Sequence, residues 1–265
     1  MAAPPPPIGV LTAFRADERP VRLSGGRGTA WRAGTVVVKP ADTDEASLAW
    51  QAEHLGAIEH DGFRLALPLR SRLGTFVVDG WTASDFCAGR HEGRRWVDTI
   101  ATGDRFHAAA ARLACPRLPE RTDPWSAADR VAWGEAPIVP YLGAPHIARL
   151  VDLFAPVEAP SQVIHGDLTG NVLFADDLPP AVIDVAVYCR PTRFATAVVL
   201  ADALAWEGAT VADLEPALGA EGVGQYLARA LVFRIVTDWL VDPAAVRARA
   251  FAYGSGVDLA ARLAR

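Results

Sequence analysis

The stretch that most limits how this chain can fold is Gln162–Asp184, QVIHGDLTGNVLFADDLPPAVID. Three short apolar runs, Gln162–Ile164, Val172–Phe174 and Ala181–Ile183, are separated by a polar loop and by a turn rich in Asp and Pro, the pattern of three strands. Each run carries a polar group at its edge: His165 and Asp167 follow the first, Asn171 opens the second and Asp184 ends the third. Pairing of the second and third strands through Ala175–Pro180 would bring Asn171 and Asp184 to one end of a hairpin. Two carboxylates and a carboxamide suit a hard cation such as Mg²⁺, which takes oxygen ligands and is completed by water and phosphate oxygens, and they suit zinc poorly. A purely local reading also stands, because Asp and Asn form turns by hydrogen-bonding their own backbone.

Composition sharpens the choice. Of the 26 basic residues 25 are Arg, the only Lys is Lys39 and the only Asn is Asn171. A chain so biased uses Arg for surface charge and Asp, Ser or Gly for turns. A lone ammonium and a lone carboxamide therefore point to chemistry that those substitutes do not supply. An ammonium is a compact point charge and a guanidinium a planar fork, so the two are not equivalent at a phosphate.

Upstream, Val21–Pro40 reads as two strands joined by the glycine-rich turn Ser24-Gly25-Gly26-Arg27-Gly28-Thr29. Backbone N–H groups in such a turn can approach phosphate because glycine has no Cβ; a plain hairpin explains the same residues. Asp42–Ile58 reads as a helix, with Asp42 or Thr43 as N-cap and Ala46, Leu48, Ala49, Ala52 and Leu55 as apolar positions. Glu53 on this helix is placed to pair with Lys39, with Glu45 as a rival. Strands around Arg64–Leu69 and Thr75–Val78 would complete a small sheet.

With Val163-Ile164-His165-Gly166-Asp167-Leu168, Asn171-Val172-Leu173-Phe174, Val182-Ile183-Asp184, the upstream Val36-Val37-Val38-Lys39 and Glu53, the chain resembles the aminoglycoside phosphotransferase and choline kinase-like branch of the protein-kinase-like superfamily. The resemblance implies an α+β, bilobal kinase-like fold, with a small β-rich N-lobe and a larger, mainly helical C-lobe. It implies transfer of the γ-phosphoryl group of ATP or GTP to a hydroxyl of a small molecule: a sugar, an amino alcohol or an aminoglycoside-like compound. In it Asp167 would be the catalytic base, and Lys39, fixed by Glu53, would hold the α- and β-phosphates. Ser24, Gly25, Gly26, Gly28 and Thr29 would cover the nucleotide, while Asn171 and Asp184 would hold Mg²⁺. His165 would brace the loop, Asp79–Ser84 would be the adenine-binding hinge, and Asp202 would accept hydrogen bonds from the catalytic loop. The family pattern has four residues between the loop Asp and the Asn, whereas Leu168, Thr169 and Gly170 are three. That departure carries an alternative: a nucleotide-binding regulatory or scaffolding module with impaired catalysis.

The expected organisation is a flexible Pro-rich leader over residues 1–20, a nucleotide-binding N-lobe over 21–82 and a C-lobe over 83–265. Within the C-lobe, Trp96–Leu113 reads as an amphipathic helix, Cys115–Pro145 as a packed connection and Ala144–Phe154 as a short helix. Arg193–Trp206 reads as a helix with Asp202 inside its apolar face, where a carboxylate needs partners; a helix-surface Asp is the alternative. Amphipathic helices are expected around Gln225–Val241 and Ala244–Arg262.

A net charge of −5 without a basic stripe argues against nucleic acid as a partner. No apolar run is long enough to span a bilayer. Cys87, Cys115 and Cys189 show neither a disulfide framework nor zinc spacing, so a reducing cytoplasm is the expected setting. Expected partners are a nucleotide and a small-molecule acceptor; the oligomeric state is unknown. Glu207, Asp213, Glu215, Glu221, Asp238 and Asp242 are interspersed with Arg229, Arg234, Arg247 and Arg249, which is no cation trap. A metabolite alcohol therefore ranks above a polycationic antibiotic as acceptor.

Overall fold

The computed structural model describes residues 4–25, 28–117, 121–219 and 222–264; Gly26 and Glu221 lie outside them. In chain order the first half contains α1 (Ile8–Ala13), β1 (Val21–Arg22), β2 (Trp31–Ala33), β3 (Val36–Pro40), α2 (Glu45–His54), β4 (Arg64–Leu65), β5 (Val77–Val78), β6 (Trp81–Asp85), α3 (Trp96–Ala110) and α4 (Pro124–Ala132). There follow α5 (Ile147–Val151), β7 (Gln162–His165), β8 (Val172–Ala175), β9 (Leu178–Val182), β10 (Val187–Arg190), α6 (Thr192–Trp206), α7 (Glu215–Leu218), α8 (Val223–Val241), α9 (Pro243–Ala248) and α10 (Ala250–Leu263). The fold is α+β with two compact units. One comprises residues 1–92, 105–119 and 170–185, the other 93–104, 120–169 and 186–265. The expected boundary lay at residue 82; in the structure residues 105–119 and 170–185 group with the first unit, and α3 is divided between the two.

The first unit carries an antiparallel five-stranded sheet in the order β1-β2-β3-β6-β5. Three strands, not two, occupy Val21–Pro40, because Gly34, at φ +62, turns the chain again between β2 and β3. Residues 8–13 are not part of a flexible leader. Pro7 precedes the first turn of α1, and Val10 and Phe14, four residues apart on one helix face, pack with Ala33, Val36 and Val38 beneath the sheet. Helix α2 starts later than expected. Its N-cap is Asp44, whose carboxylate accepts from Ser47 N at 2.9 Å, rather than Asp42 or Thr43. The expected hinge is corrected too: Asp79 and Gly80, both left-handed, make the β5–β6 turn, and residues 81–85 are strand β6 itself. A second, three-stranded sheet has the order β4-β9-β8.

In the second unit β7 pairs antiparallel with β10, a strand that the expectation left out. The segment Cys115–Pro145 is not merely a connection, since Asp123 and Pro124 start α4 with a side-chain cap to Trp125 N and Ser126 N. Helix α8 is not amphipathic in the ordinary sense. It is buried on nearly every face from Val223 to Thr237 and packs against α4, α5, α6, α9 and α10, as an all-round apolar helix must. Among the cysteines, Cys115 and Cys189 each belong to a disulfide and Cys87 is free, which corrects the expectation of no disulfide framework. Among the described residues no helix is long and apolar enough to cross a membrane.

Candidate active site

In the first unit, strand pairing positions three of the expected residues. Val172 pairs with Val182 and Leu173 with Ala181 in the β8–β9 hairpin, and Ile183 N donates to Asn171 O at 3.0 Å. Asn171 and Asp184 thus leave the same end of the hairpin. Asp184 has φ +50, a left-handed backbone that few residues besides Gly, Asn and Asp adopt readily. Lys39 sits near the end of β3, opposite Thr82 of β6. Its Nζ lies 2.6 Å from Asp184 Oδ1 and 3.1 Å from Asp42 Oδ1. Burial pulls the ammonium towards lower pKa, but Asp184 and Asp42 outweigh it and hold Lys39 above the ordinary lysine value.

The expected Glu53–Lys39 pair does not form. Glu53 is exposed on α2, and the ammonium hydrogen-bonds Asp42 and Asp184 instead. The rival Glu45 is engaged elsewhere, accepting from Phe76 N and Val77 N at 2.8 Å. Asp42, three residues after the lysine, reaches it without any helix having to approach. The glycine turn joins β1 to β2. Gly25 and Gly28 have φ +107 and +63, and Gly28 N donates to Gly25 O at 3.0 Å. Ser24, on the exposed side, and Thr29 flank them. The Arg22 guanidinium folds over this turn and donates from Nε to Gly28 O at 2.8 Å.

The second unit holds the other group. After β7, Gly166 N donates to Ala186 O at 2.9 Å. Any Cβ at Gly166 would lie 2.3 Å from the Tyr188 ring, so only glycine lets the loop pass there. Leu168, fully buried, presses onto α3, where a Cβ at Gly103 would meet its Cδ1 at 2.4 Å. Asp167 N donates to His165 Nδ1 at 3.1 Å, which makes the buried His165 a brace of the loop. The Asp167 side chain is 36% exposed, and its Oδ1 accepts from Arg234 Nη2 at 2.6 Å. Arg234, in the middle of α8, is itself forked onto Asp202 of α6: Nε to Oδ1 at 2.7 Å and Nη2 to Oδ2 at 2.5 Å. Burial alone pulls a guanidinium down, but Asp202 and Asp167 outweigh it and hold Arg234 above its ordinary range. Burial pushes the Asp202 carboxyl up, and Arg234 opposes that push.

Among the described residues no three His, Cys, Asp or Glu side chains are grouped to hold a metal ion. What remains is one carboxylate, Asp184, and one carboxamide, Asn171, two hard oxygen donors. This set fits a cation completed by water and phosphate oxygens, as Mg²⁺ commonly is, and does not fit a cation that needs an all-protein cage.

No family model matches the chain, and no curated protein matches it in sequence. Solved structures do match. Aminoglycoside phosphotransferase APH(4)-Ia is 12% identical at a TM-score of 0.62, with 96% of each chain covered. Spectinomycin phosphotransferase APH(9)-Ia, solved with ADP and spectinomycin, is 15% identical at a TM-score of 0.55, again with 96% of each chain covered. An aminoglycoside phosphotransferase from Alicyclobacillus acidocaldarius is 13% identical at a TM-score of 0.57, covering 100% of this chain and 96% of that one. This chain has the aminoglycoside phosphotransferase fold.

Within the aminoglycoside phosphotransferase fold, sequence reasoning left out Asp42, Arg22 and Arg234 as partners of the candidate residues. For Arg234 a signal existed. Leu231-Val232-Phe233-Arg234-Ile235-Val236 and Val198-Val199-Leu200-Ala201-Asp202-Ala203 each bury one charge in an apolar helix. Opposite charges so placed are each other's obvious partners, because an unpaired buried charge is prohibitively costly.

Proposed function

We propose that this protein transfers the γ-phosphoryl group of ATP or GTP to a hydroxyl of a small molecule. The observation that carries the reading is the Lys39–Asp184 pair: the only lysine of the chain lies 2.6 Å from the carboxylate that ends the hairpin, in a fold shared with phosphotransferases.

Phosphoryl transfer asks the protein for positioning and charge neutralisation more than for covalent chemistry. Lys39 would place a positive charge on the α- and β-phosphates, with Asp42 holding the ammonium in place. Gly25, Gly28 and their neighbours would offer backbone N–H groups to the nucleotide. Asn171 and Asp184 would hold Mg²⁺, which when bound neutralises phosphate charge. Asp167 would orient the acceptor hydroxyl and take its proton as the acceptor oxygen bonds to the γ-phosphorus. The bond to the bridging oxygen breaks, and the nucleoside diphosphate leaves with the electron pair.

Several acids of the second unit are spent on internal partners. Asp238 accepts from Tyr253 Oη and Arg249 Nη1, Asp213 accepts from Thr210 N, and Asp242 caps α9. That favours an acceptor with little positive charge, such as a sugar or an amino alcohol, over a polycationic aminoglycoside. The one-residue-shorter Asp167–Asn171 loop supports a second reading, a nucleotide-binding module without turnover.

A thermal-shift titration with ATP, GTP and ADP, each with and without Mg²⁺, tests the site on wild type and Asp184→Ala, since a ligand of the native state raises its apparent stability. Stabilisation of wild type by Mg²⁺ and ATP, lost in the variant, supports the site. Release of ADP in a screen of sugars and amino alcohols, abolished in Asp167→Ala, supports the transferase; binding without release supports the module.

A further inference from the structure

Arg234 has no place in the reaction just described, yet its buried guanidinium touches Asp167. Its side chain is 6% exposed and that of Asp202 1%, and the guanidinium lies against the rings of Phe233 and Trp206, 5.1 and 5.6 Å from their centroids. Two ionised groups, Arg234 and Asp202, are paired in the interior of the second unit with the half-buried Asp167 beside them, where apolar side chains of similar volume commonly give equal or greater stability. Stability is therefore a poor explanation for keeping them.

The geometry gives a better one. Asp202 takes two bonds from the guanidinium, one from Nε and one from Nη2, so the plane of the fork is set by α6. The same Nη2 donates to Asp167 Oδ1 at 2.6 Å. Asp167 is on a loop, and a loop carboxylate left to itself samples several rotamers. Here one of its oxygens is tied to a group that a second helix holds rigid. Lysine could not replace Arg234, because an ammonium cannot present the fixed, planar array of donors that this double duty requires.

We propose that Arg234 is a positioning residue: locked by Asp202, it fixes the carboxylate of Asp167 in one orientation for the acceptor hydroxyl. The proposal rests on the phosphotransferase reading for its catalytic consequence, though not for the contact itself. Fixing a reacting group in advance lowers the barrier because the ordering is not left to the transition state. The loss should appear in kcat and leave nucleotide binding in place.

Arg234→Met alone would strand Asp202 as an unpaired buried charge and risk misfolding. The test is the double variant Asp202→Asn, Arg234→Met, which removes both buried charges, with Arg234→Lys beside it. The first measurement is carbodiimide-driven coupling of glycinamide to carboxylates in the folded protein, read by peptide mass. Asp167 labelling should rise by about fivefold or more in the double variant, as expected when a carboxylate loses a charge-assisted partner, while labelling of the surface Asp258 stays unchanged. The second is turnover, read as ADP release, with the Mg²⁺–ATP thermal shift as control. With that shift retained, kcat should fall about 100-fold, and Arg234→Lys should recover only part of it.

Unchanged Asp167 labelling in a folded double variant overturns the proposal, and so does raised labelling with wild-type kcat. If wild type releases no ADP with any acceptor, the phosphotransferase reading fails and the catalytic half of the proposal fails with it. The labelling result still decides whether Arg234 holds Asp167.

Discussion

Lys39 Nζ lies 2.6 Å from Asp184 Oδ1 although 145 positions separate the two residues. One is near the end of a strand in the five-stranded sheet and the other follows the β8–β9 hairpin, so the pair joins the residue expected to meet phosphate to the residue expected to meet the metal. Lys39→Met removes the ammonium and leaves Asp184, whose side chain is 52% exposed, accessible to water. Folding should survive, because the carboxylate left without its partner stays in water and no buried charge is stranded. The Mg²⁺–ATP thermal shift should fall to near zero, as measured by dye-based melting.

Asp42, rather than Glu53, holds the ammonium. Asp42→Asn should weaken ATP binding by about three- to tenfold, the range of a partly exposed charge-assisted contact. Glu53→Ala, on the exposed face of α2, should leave it unchanged. Calorimetric titration of ATP with Mg²⁺ into both variants checks the pair, and the reverse ranking would refute the assignment of Asp42.

Gly166→Ala should be severe. A Cβ there lies 2.3 Å from Cδ2 and 2.7 Å from Cε2 of Tyr188, and the ring is buried. Overpacking of this kind costs about 1–3 kcal/mol, read as a lower urea midpoint, and the displaced loop should lower turnover as well.

Stability should fall on the acid side for an identifiable reason. Burial pushes the Asp123 carboxyl up, but Ser126 and Arg121 outweigh it and hold it below the ordinary value of 3.8. Asp44 is held below 3.8 by Ser47 in the same way, against burial, and the Arg190 side chain holds Glu135 below 4.5. A carboxyl depressed in the folded state contributes stability that is fully present above its unfolded value and lost as pH falls through its folded value. These three groups should therefore lower the urea midpoint below about pH 5, opposed by Asp104, Asp129 and Asp202, whose carboxyls burial pushes up. Asp123→Asn, which keeps a capping oxygen but does not titrate, should flatten part of that decline.

Much of the candidate site was legible along the chain because its signals are local. Alternation of apolar residues, Asp177 in a left-handed turn and short strands on either side set the β8–β9 hairpin, and from that pairing alone Asn171 and Asp184 had to emerge together. The lone lysine and lone asparagine needed only counting. Apolar runs likewise marked α3 and α6 within a few residues of their observed ends.

What the tertiary structure alone decided is which charges meet. Glu53, with Glu45 as a rival, was the expected partner of Lys39 and Asp42 only a possible cap, yet Asp42 is the residue that meets the ammonium beside Asp184. Arg234 and Asp202 each stood out as a lone charge in an apolar run, but only the packing of α8 against α6 put the guanidinium on both Asp202 and Asp167. The short strand β10 was invisible without β7 to pair with, and Val10 and Phe14 looked like a leader until β2 and β3 supplied a surface to cover. Secondary structure follows from neighbours a few residues away, whereas the partner of a buried charge is fixed only when remote elements close around it and exclude the water that would otherwise solvate it.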